Sequence, residues 1–519
     1  MTLYNKIRGN YLCRNASITA TLAGAGAVSG LVLDALILLT FGVGYQTDAF
    51  FTALTIPTLL NGVFAIQCPK VLVPAFGDDF NRGEDARAWG LLRNLVTTSL
   101  LVLLGVWLLG IALSAVLVPL QIPGLGRKTI SLAVHLSQIL FGLVLCQGLA
   151  SIMQSVLYAR HSYVVSSSGK LVTNLVTIIV VVITRGRFDI RIVAAGMLLG
   201  NVVQVVLVAL VLAAHGFRYR WTRDRTDSRL REIAGAFRYP LVGHVLGESS
   251  MILQNVLGSF LGTGSLTLLR YASRIVQAIA GILLGSVVQV TLPLIARYAA
   301  ANDVRRQRAA LLESIQLLSL LGLPVCVWLI FAAEPVVKLM FQRGAFSAAD
   351  AVMVAVIIRY MVPDLFLGRI VSVTQTLFYA NADLRTPFIS TLIFTVVNTL
   401  LAIVLARLLR VRGVAMAVSF ASISNTIYMI WKLHTRFGPI GWSEIRPFAL
   451  RLVATCAVGA VGFGLGTRLL SITTVSNSLS KYLAVAIPST VAAGLFATAA
   501  FRFRLVDGHF LLPVAEKAS

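Results

Sequence analysis

Fourteen apolar runs dominate this chain, near 17–43, 48–76, 92–119, 130–158, 163–184, 190–214, 233–262, 267–296, 309–333, 348–379, 387–406, 413–431, 448–470 and 481–501. A helix needs about 20 apolar residues to cross a bilayer. The hydrocarbon leaves no backbone group without a partner, so only helices and closed barrels span it. Barrel strands are short and alternate apolar with polar residues, and these runs do neither. The expected fold is an all-α polytopic membrane protein of about 14 transmembrane helices. Composition agrees: 57% of the 519 residues are hydrophobic and 12% are charged, where a soluble domain carries about a quarter charged residues. A cytosolic enzyme and a nucleic-acid-binding domain are excluded, despite a net charge of +24.

That charge has a membrane explanation. Cytoplasmic loops collect Lys and Arg, and acids do not offset them. With the N-terminus inside, most of the 44 Lys and Arg fall on the cytoplasmic side, and both termini are cytoplasmic. The densest run is Arg218, Arg220, Arg223, Arg225, Arg229, Arg231 and Arg238, between the sixth and seventh helices. Arg185, Arg187 and Arg191, and Arg407, Arg410 and Arg412, fall on the other side. The first apolar run is longer than a signal-peptide core and reads as a retained helix. The five cysteines form no CxxC pair and read as packing residues.

The chain also reads as duplicated. Tyr158 pairs with Tyr379, Pro74 with Pro293 and Asn174 with Asn398, each about 220 residues apart. Two lobes of six helices in one orientation follow, a parallel repeat. The expected organisation is an N-terminal lobe over 1–214, a cytoplasmic linker over 215–232, a C-terminal lobe over 233–436, and two extra helices with the tail over 437–519.

Motifs for soluble chemistry are missing. The sequence has no GxxxxGK[ST] loop, no HExxH and no GxSxG, and its six histidines lack metal-ligand spacing. The chain reads as a non-enzyme with no metal site. Five GxxxG motifs, among them Gly196–Gly200 and Gly462–Gly466, read as close helix packing. The informative residues are charges within the runs, because hydrocarbon rejects them unless they face protein or a wet cavity. They are Asp34, Asp48, Lys70, Glu248, Arg270, Arg274, Arg359, Asp364 and Arg369. Asp48, Lys70 and Arg359 read equally well as members of internal ion pairs or as snorkelling side chains. Arg270 and Arg274 stand one turn apart, share a helix face, and could grip a phosphate bidentately. Asp34 stands well inside an apolar run with no basic residue near it in the sequence.

Several stretches then resemble the MurJ/MviN lipid II flippases of the MOP exporter superfamily. They are Thr47-Asp48-Ala49-Phe50-Phe51 with Ile56-Pro57 and Val73-Pro74, Gly258-Ser259-Phe260-Leu261 with Gly264-Ser265, Tyr271-Ala272 and Arg274, and Phe341-Gln342-Arg343-Gly344-Ala345-Phe346 with Asp350. The resemblance implies a two-lobed flippase of the bacterial inner membrane. Its cargo would be lipid II, a polyprenyl-diphosphate-linked glycan of peptidoglycan and cell-wall synthesis, carried by alternating access. A cationic cavity would take the head group, with Arg274, Arg270, Asp34, Asp48 and Lys70 as the substrate-binding candidates. A groove at the last two helices would take the prenyl tail. Family members also suggest a Na+ site, with Asn398 and Glu248 as the matching residues, and Na+ or the membrane potential as the drive. Membrane lipids and cell-wall synthesis proteins are the expected partners, and nucleic acid is not. The chain departs from the family pattern at Ala27, Leu33 and Asn61, where arginines are usual. Fewer cationic contacts to a diphosphate are therefore expected. An exporter of another lipid-linked polysaccharide precursor, or a transport-dead scaffold of cell-wall synthesis, is the alternative reading.

Overall fold

The computed structural model describes residues 2–160, 162–184, 189–222, 224, 227–236, 248, 251–341, 344–438, 442–472 and 479–503. Every regular element among them is a helix. In order they are α1 (Thr2–Phe41), α2 (Tyr45–Asn81), α3 (Asp85–Gln121), α4 (Arg127–Leu140), α5 (Gly142–Ala159), α6 (Tyr163–Ile183), α7 (Arg191–Ala214) and α8 (Ser228–Ala236). The helical residues 251–259 belong to α9. Then come α10 (Ser265–Leu283), α11 (Gly285–Ala300), α12 (Val304–Phe341), α13 (Ala348–Ala380), α14 (Arg385–Leu409), α15 (Val411–Phe437), α16 (Trp442–Ile472) and α17 (Leu479–Arg502).

Eleven helical segments among the described residues are long and apolar enough to cross a membrane, so this is a multi-pass membrane protein. Each falls on one of the fourteen apolar runs. The fifth run forms a shorter apolar helix, Ser167–Ile183, and the seventh lies partly outside the described residues. The eighth is broken at Leu284 into α10 and α11. The fourth is likewise interrupted at Phe141, between α4 and α5. The buried Phe141 ring lies where a Cβ on Gly110 would stand, with Cδ1 2.2 Å from that position. Prolines do not break the long helices: α2 runs through Pro57, Pro69 and Pro74, and α13 through Pro363. Membrane helices accommodate such residues because neighbouring groups satisfy the freed carbonyls.

The chain divides into two compact units, Met1–Thr267 and Leu268–Ser519. In the first, α5 packs against α2, α3 and α7, while α6 lies against α1 and α7. Its core is a buried cluster in which Phe76, Leu92, Val156 and Leu212 join α2, α3, α5 and α7. In the second unit α13 packs against α11, α12 and α15, and α14 lies against α15. The order of packing is the same. The extra pair α16 and α17 pack on each other and against α12.

The matched tyrosines end matching corners. After Tyr158, Arg160 donates to Asp85 at the start of α3, at 2.5 Å, and to the His215 carbonyl beyond α7, at 3.2 Å. Its guanidinium lies over the rings of Phe80 and Trp89. After Tyr379, Asn381 donates to Gln307 in the first turn of α12 at 2.8 Å, and Asp383 accepts from Arg436 at the end of α15. Burial pushes the Asp383 carboxyl up. The N–H and hydroxyl of Thr386, the Arg436 charge and the Arg385 N–H outweigh that and hold it below the usual carboxylate range.

Candidate functional site

The site begins with α10, the helix that carries Arg270 and Arg274. Two glycines with positive φ, Gly262 (104°) and Gly264 (89°), turn the chain into it. A side chain on Gly264 would also press Val43, whose Cγ1 stands 2.7 Å from the position of a Cβ. The first N–H groups of any helix lack intrahelical partners. Here Asp48, in the first turn of α2 and fully buried, supplies them. Its carboxylate accepts from the Gly264 N–H, from the Thr267 N–H at 2.9 Å and from the Thr267 hydroxyl at 2.6 Å. A negative charge there also complements the helix dipole. Thr47 completes the joint: its hydroxyl meets that of Thr267 at 3.0 Å and accepts from the Gly44 N–H at the start of α2. Asp48 is therefore a capping residue in this structure.

Beyond the cap, Tyr271 is buried with its ring 5.7 Å from that of Phe341. Arg270 is half-buried and Arg274 is exposed, one turn further along. Four residues apart on α10, the two arginines share one face of that helix.

The other sequence candidates are distributed more widely. Asp34 lies in α1 and is 2% exposed. Near it Asn174 ties α6 to α1, donating to the Gly26 carbonyl at 3.1 Å and to the Ser29 hydroxyl at 3.0 Å. Asn398, its counterpart in α14, is 1% exposed, and its Oδ1 accepts no hydrogen bond among the described residues. Glu248 is half-buried in a stretch otherwise outside the described residues. The side chain of Lys70 also lies outside them. Arg359 donates to the Ile330 carbonyl at 2.8 Å and faces Glu334, which fits the ion-pair reading. Of the three positions where the resemblance led to an expectation of arginine, Leu33 and Asn61 are buried and Ala27 is half-buried.

Sequence reasoning missed a polar bridge and did not place the apolar groove's walls. Asn255 in α9 donates to Thr55 of α2 at 2.8 Å and to Gln121 of α3 at 3.3 Å, all buried. Isolated polar residues inside apolar runs were the available signal. The groove lies in the second unit between α12, α16 and α17, with a volume of about 330 Å³. Pro324, Phe331, Cys456, Phe463, Ala493 and Phe496 line it. Its polar tie is Trp328, whose indole N–H donates to Ser489 at 2.8 Å. Small residues let its walls approach: Gly466 would bring a Cβ to 2.5 Å from the Pro488 Cα. Such a slot suits a linear hydrocarbon chain and offers nothing to a charged head group.

Known proteins match this arrangement. A family model described as lipid II flippase MurJ covers residues 37–486. A probable lipid II flippase MurJ of Thermotoga maritima is 26% identical over 429 residues, 81% of this chain and 86% of that protein. The corresponding protein of Rhizobium tropici is 25% identical, over 85% of each chain. Among solved structures, a lipid II flippase MurJ in an inward closed conformation superposes with a TM-score of 0.77 at 20% identity, over 94% of this chain and 98% of that one. An inward-facing multidrug resistance MATE transporter of the MOP superfamily gives 0.66 at 16% identity, over 82% and 97%. With its family model spanning most of the sequence, the chain belongs to the lipid II flippase MurJ family.

Proposed function

We propose that this protein flips lipid II across the bacterial inner membrane by alternating access, as a transporter rather than an enzyme. The observation that carries the reading is the family match over residues 37–486. The geometry supports it in two places. Arg270 and Arg274, held on the helix that Asp48 caps, are the groups for the diphosphate. The groove of α12, α16 and α17 is the place for the prenyl chain. Asp34 and Lys70 complete the proposed substrate-binding set. The two six-helix lobes over 1–214 and 233–436, the linker over 215–232 and both termini in the cytoplasm belong to the same proposal.

For the drive we propose Na+ or the membrane potential, which is worth about 2.3 kcal/mol per charge per 100 mV. Asn398 offers a buried carbonyl oxygen that no described donor engages, the kind of hard ligand a Na+ ion takes. Glu248 is the carboxylate proposed with it. If this holds, replacing K+ by Na+ speeds flipping in vesicles, and Asn398→Leu removes the Na+ response while leaving the protein folded. An Na+ response unchanged in that variant removes Asn398 from the scheme.

The function is tested by complementation in cells depleted of their own lipid II flippase. Rescue supports lipid II as cargo. Failure in a correctly inserted protein points to another lipid-linked glycan or to a scaffold.

A further inference from the structure

The described residues between α7 and α8 are anchored to the first unit at several points. Gly216, with φ 94°, turns it out of α7. Phe217 is then buried in the cluster of α2, α3, α5 and α7, its ring 5.7 Å from Trp89. The Tyr219 hydroxyl meets Thr97 of α3 at 3.2 Å. Asn94, one turn earlier on α3, engages both sides of the Asp224 backbone, donating to its carbonyl at 2.9 Å and accepting from its N–H at 3.1 Å. Arg229 closes the strap on Asp79 at 2.9 Å. Between the anchors at Phe217 and Asp224, Arg218, Arg220 and Trp221 stand exposed, Trp221 at 62%. Neither Arg218 nor Arg220 makes an ion pair among the described residues.

The level of this strip relative to the bilayer follows from two spans independently. The apolar run of α7 ends at residue 214, four residues before Arg218. The apolar run of α3 begins near residue 92, and Asn94 and Thr97, which hold the strap, stand just inside it. Both place Arg218–Trp221 at the boundary between hydrocarbon and water. Trp and Tyr collect at that level. Basic residues next to a span are drawn to anionic headgroups, and a guanidinium pairs bidentately with a phosphate. No acidic side chain interrupts the sequence between Phe217 and Arg223.

We propose that Arg218, Arg220 and Trp221 form a binding site for the phosphate headgroup of an anionic phospholipid, held in place by the strap on α3. The site rests on the chain crossing a membrane and is independent of which cargo it flips. The anchors hold the backbone at Phe217, Tyr219 and Asp224 before a lipid arrives, so the cost of ordering the main chain is not met at binding.

The test uses the full-length protein in phosphatidylcholine vesicles containing either brominated phosphatidylglycerol or brominated phosphatidylcholine at the same mole fraction. The difference between wild type and Trp221→Phe isolates this indole from the other tryptophans. Brominated phosphatidylglycerol should quench Trp221 in clear preference to brominated phosphatidylcholine, by about fivefold for each arginine engaged. The preference should vanish in Arg218→Gln/Arg220→Gln, whose exposed positions leave thermal unfolding unchanged. Equal quenching by the two lipids in the wild type overturns the proposal, whatever the variant does. So does an absence of quenching, the result expected if a protein partner or water covers the strip. A preference that survives the double substitution in a folded protein overturns the role of the arginines.

Discussion

Replacing Asp48 by alanine would leave the N–H groups of Gly264 and Thr267 without their acceptor. Loss of a helix cap costs about 0.5–2 kcal/mol, and the buried site allows little water in compensation. The Asp48→Ala protein should unfold at lower temperature in detergent, and an unchanged midpoint would contradict the capping role. Asp383 gives a pH-dependent counterpart. Its carboxyl is held below the usual range by Thr386, Arg436 and Arg385 despite the opposing effect of burial. A carboxyl lowered in the folded state contributes stability above its unfolded pKa, about 3.9. That contribution fades as pH falls from there through the folded value. Asp383→Asn should therefore unfold more readily than wild type at neutral pH, with the gap narrowing as pH drops below about 4. A gap that widens on acidification would reverse the sign. In sequence Asp48 stood out as a charge within an apolar run and as a substrate-binding candidate, and Asp383 was not singled out. The partners of Asp48 lie more than 200 residues away, so its capping role was not legible there.

At the scale of elements, the apolar runs made most spanning helices readable, because hydrocarbon length and backbone pairing leave few alternatives. The breaks at Phe141 and Leu284 were not readable. The first depends on the seating of Phe141 over Gly110, a long-range contact without local signal. The GxxxG motifs read as packing features, and two are such contacts. Gly200 lies where a Cβ would meet the Thr173 carbonyl oxygen at 2.6 Å, and Gly466 lies against Pro488. The groove of α12, α16 and α17 was expected from the family resemblance alone. Its walls make a further prediction. Ala493→Phe should fill the groove and reduce flipping of long-chain lipid II far more than that of a short-chain analogue, without loss of membrane insertion. An equal effect on both substrates would show that the prenyl chain lies elsewhere.

At the scale of the molecule, three residue pairs in the sequence pointed to duplication; in the first unit α5 packs against α2, α3 and α7, and in the second α13 packs against α11, α12 and α15. The turn after Tyr158 is tied to the start of α3 and to the chain just beyond α7, and the turn after Tyr379 to the start of α12 and the end of α15. The ion pair from the first corner to α3 has an amide bridge to α12 as its counterpart in the second, so the residues that make these ties did not carry the signal in sequence. Function was legible in the same limited way. The family could be read from motifs in register, while Leu33 and Asn61, where the resemblance led to an expectation of arginine, are buried.

The central claim is that the chain moves lipid II with Arg270 and Arg274 as its main cationic contacts. Its most direct test is translocation of lipid II by the purified protein in sealed vesicles without ATP. The account predicts protein-dependent transfer between leaflets. Charge-assisted hydrogen bonds are worth about 1.5–3 kcal/mol each, so Arg270→Gln/Arg274→Gln should slow transfer roughly a hundredfold or more while the variant inserts normally. No transfer above protein-free vesicles by a folded wild type, or an undiminished rate in the double variant, would contradict it.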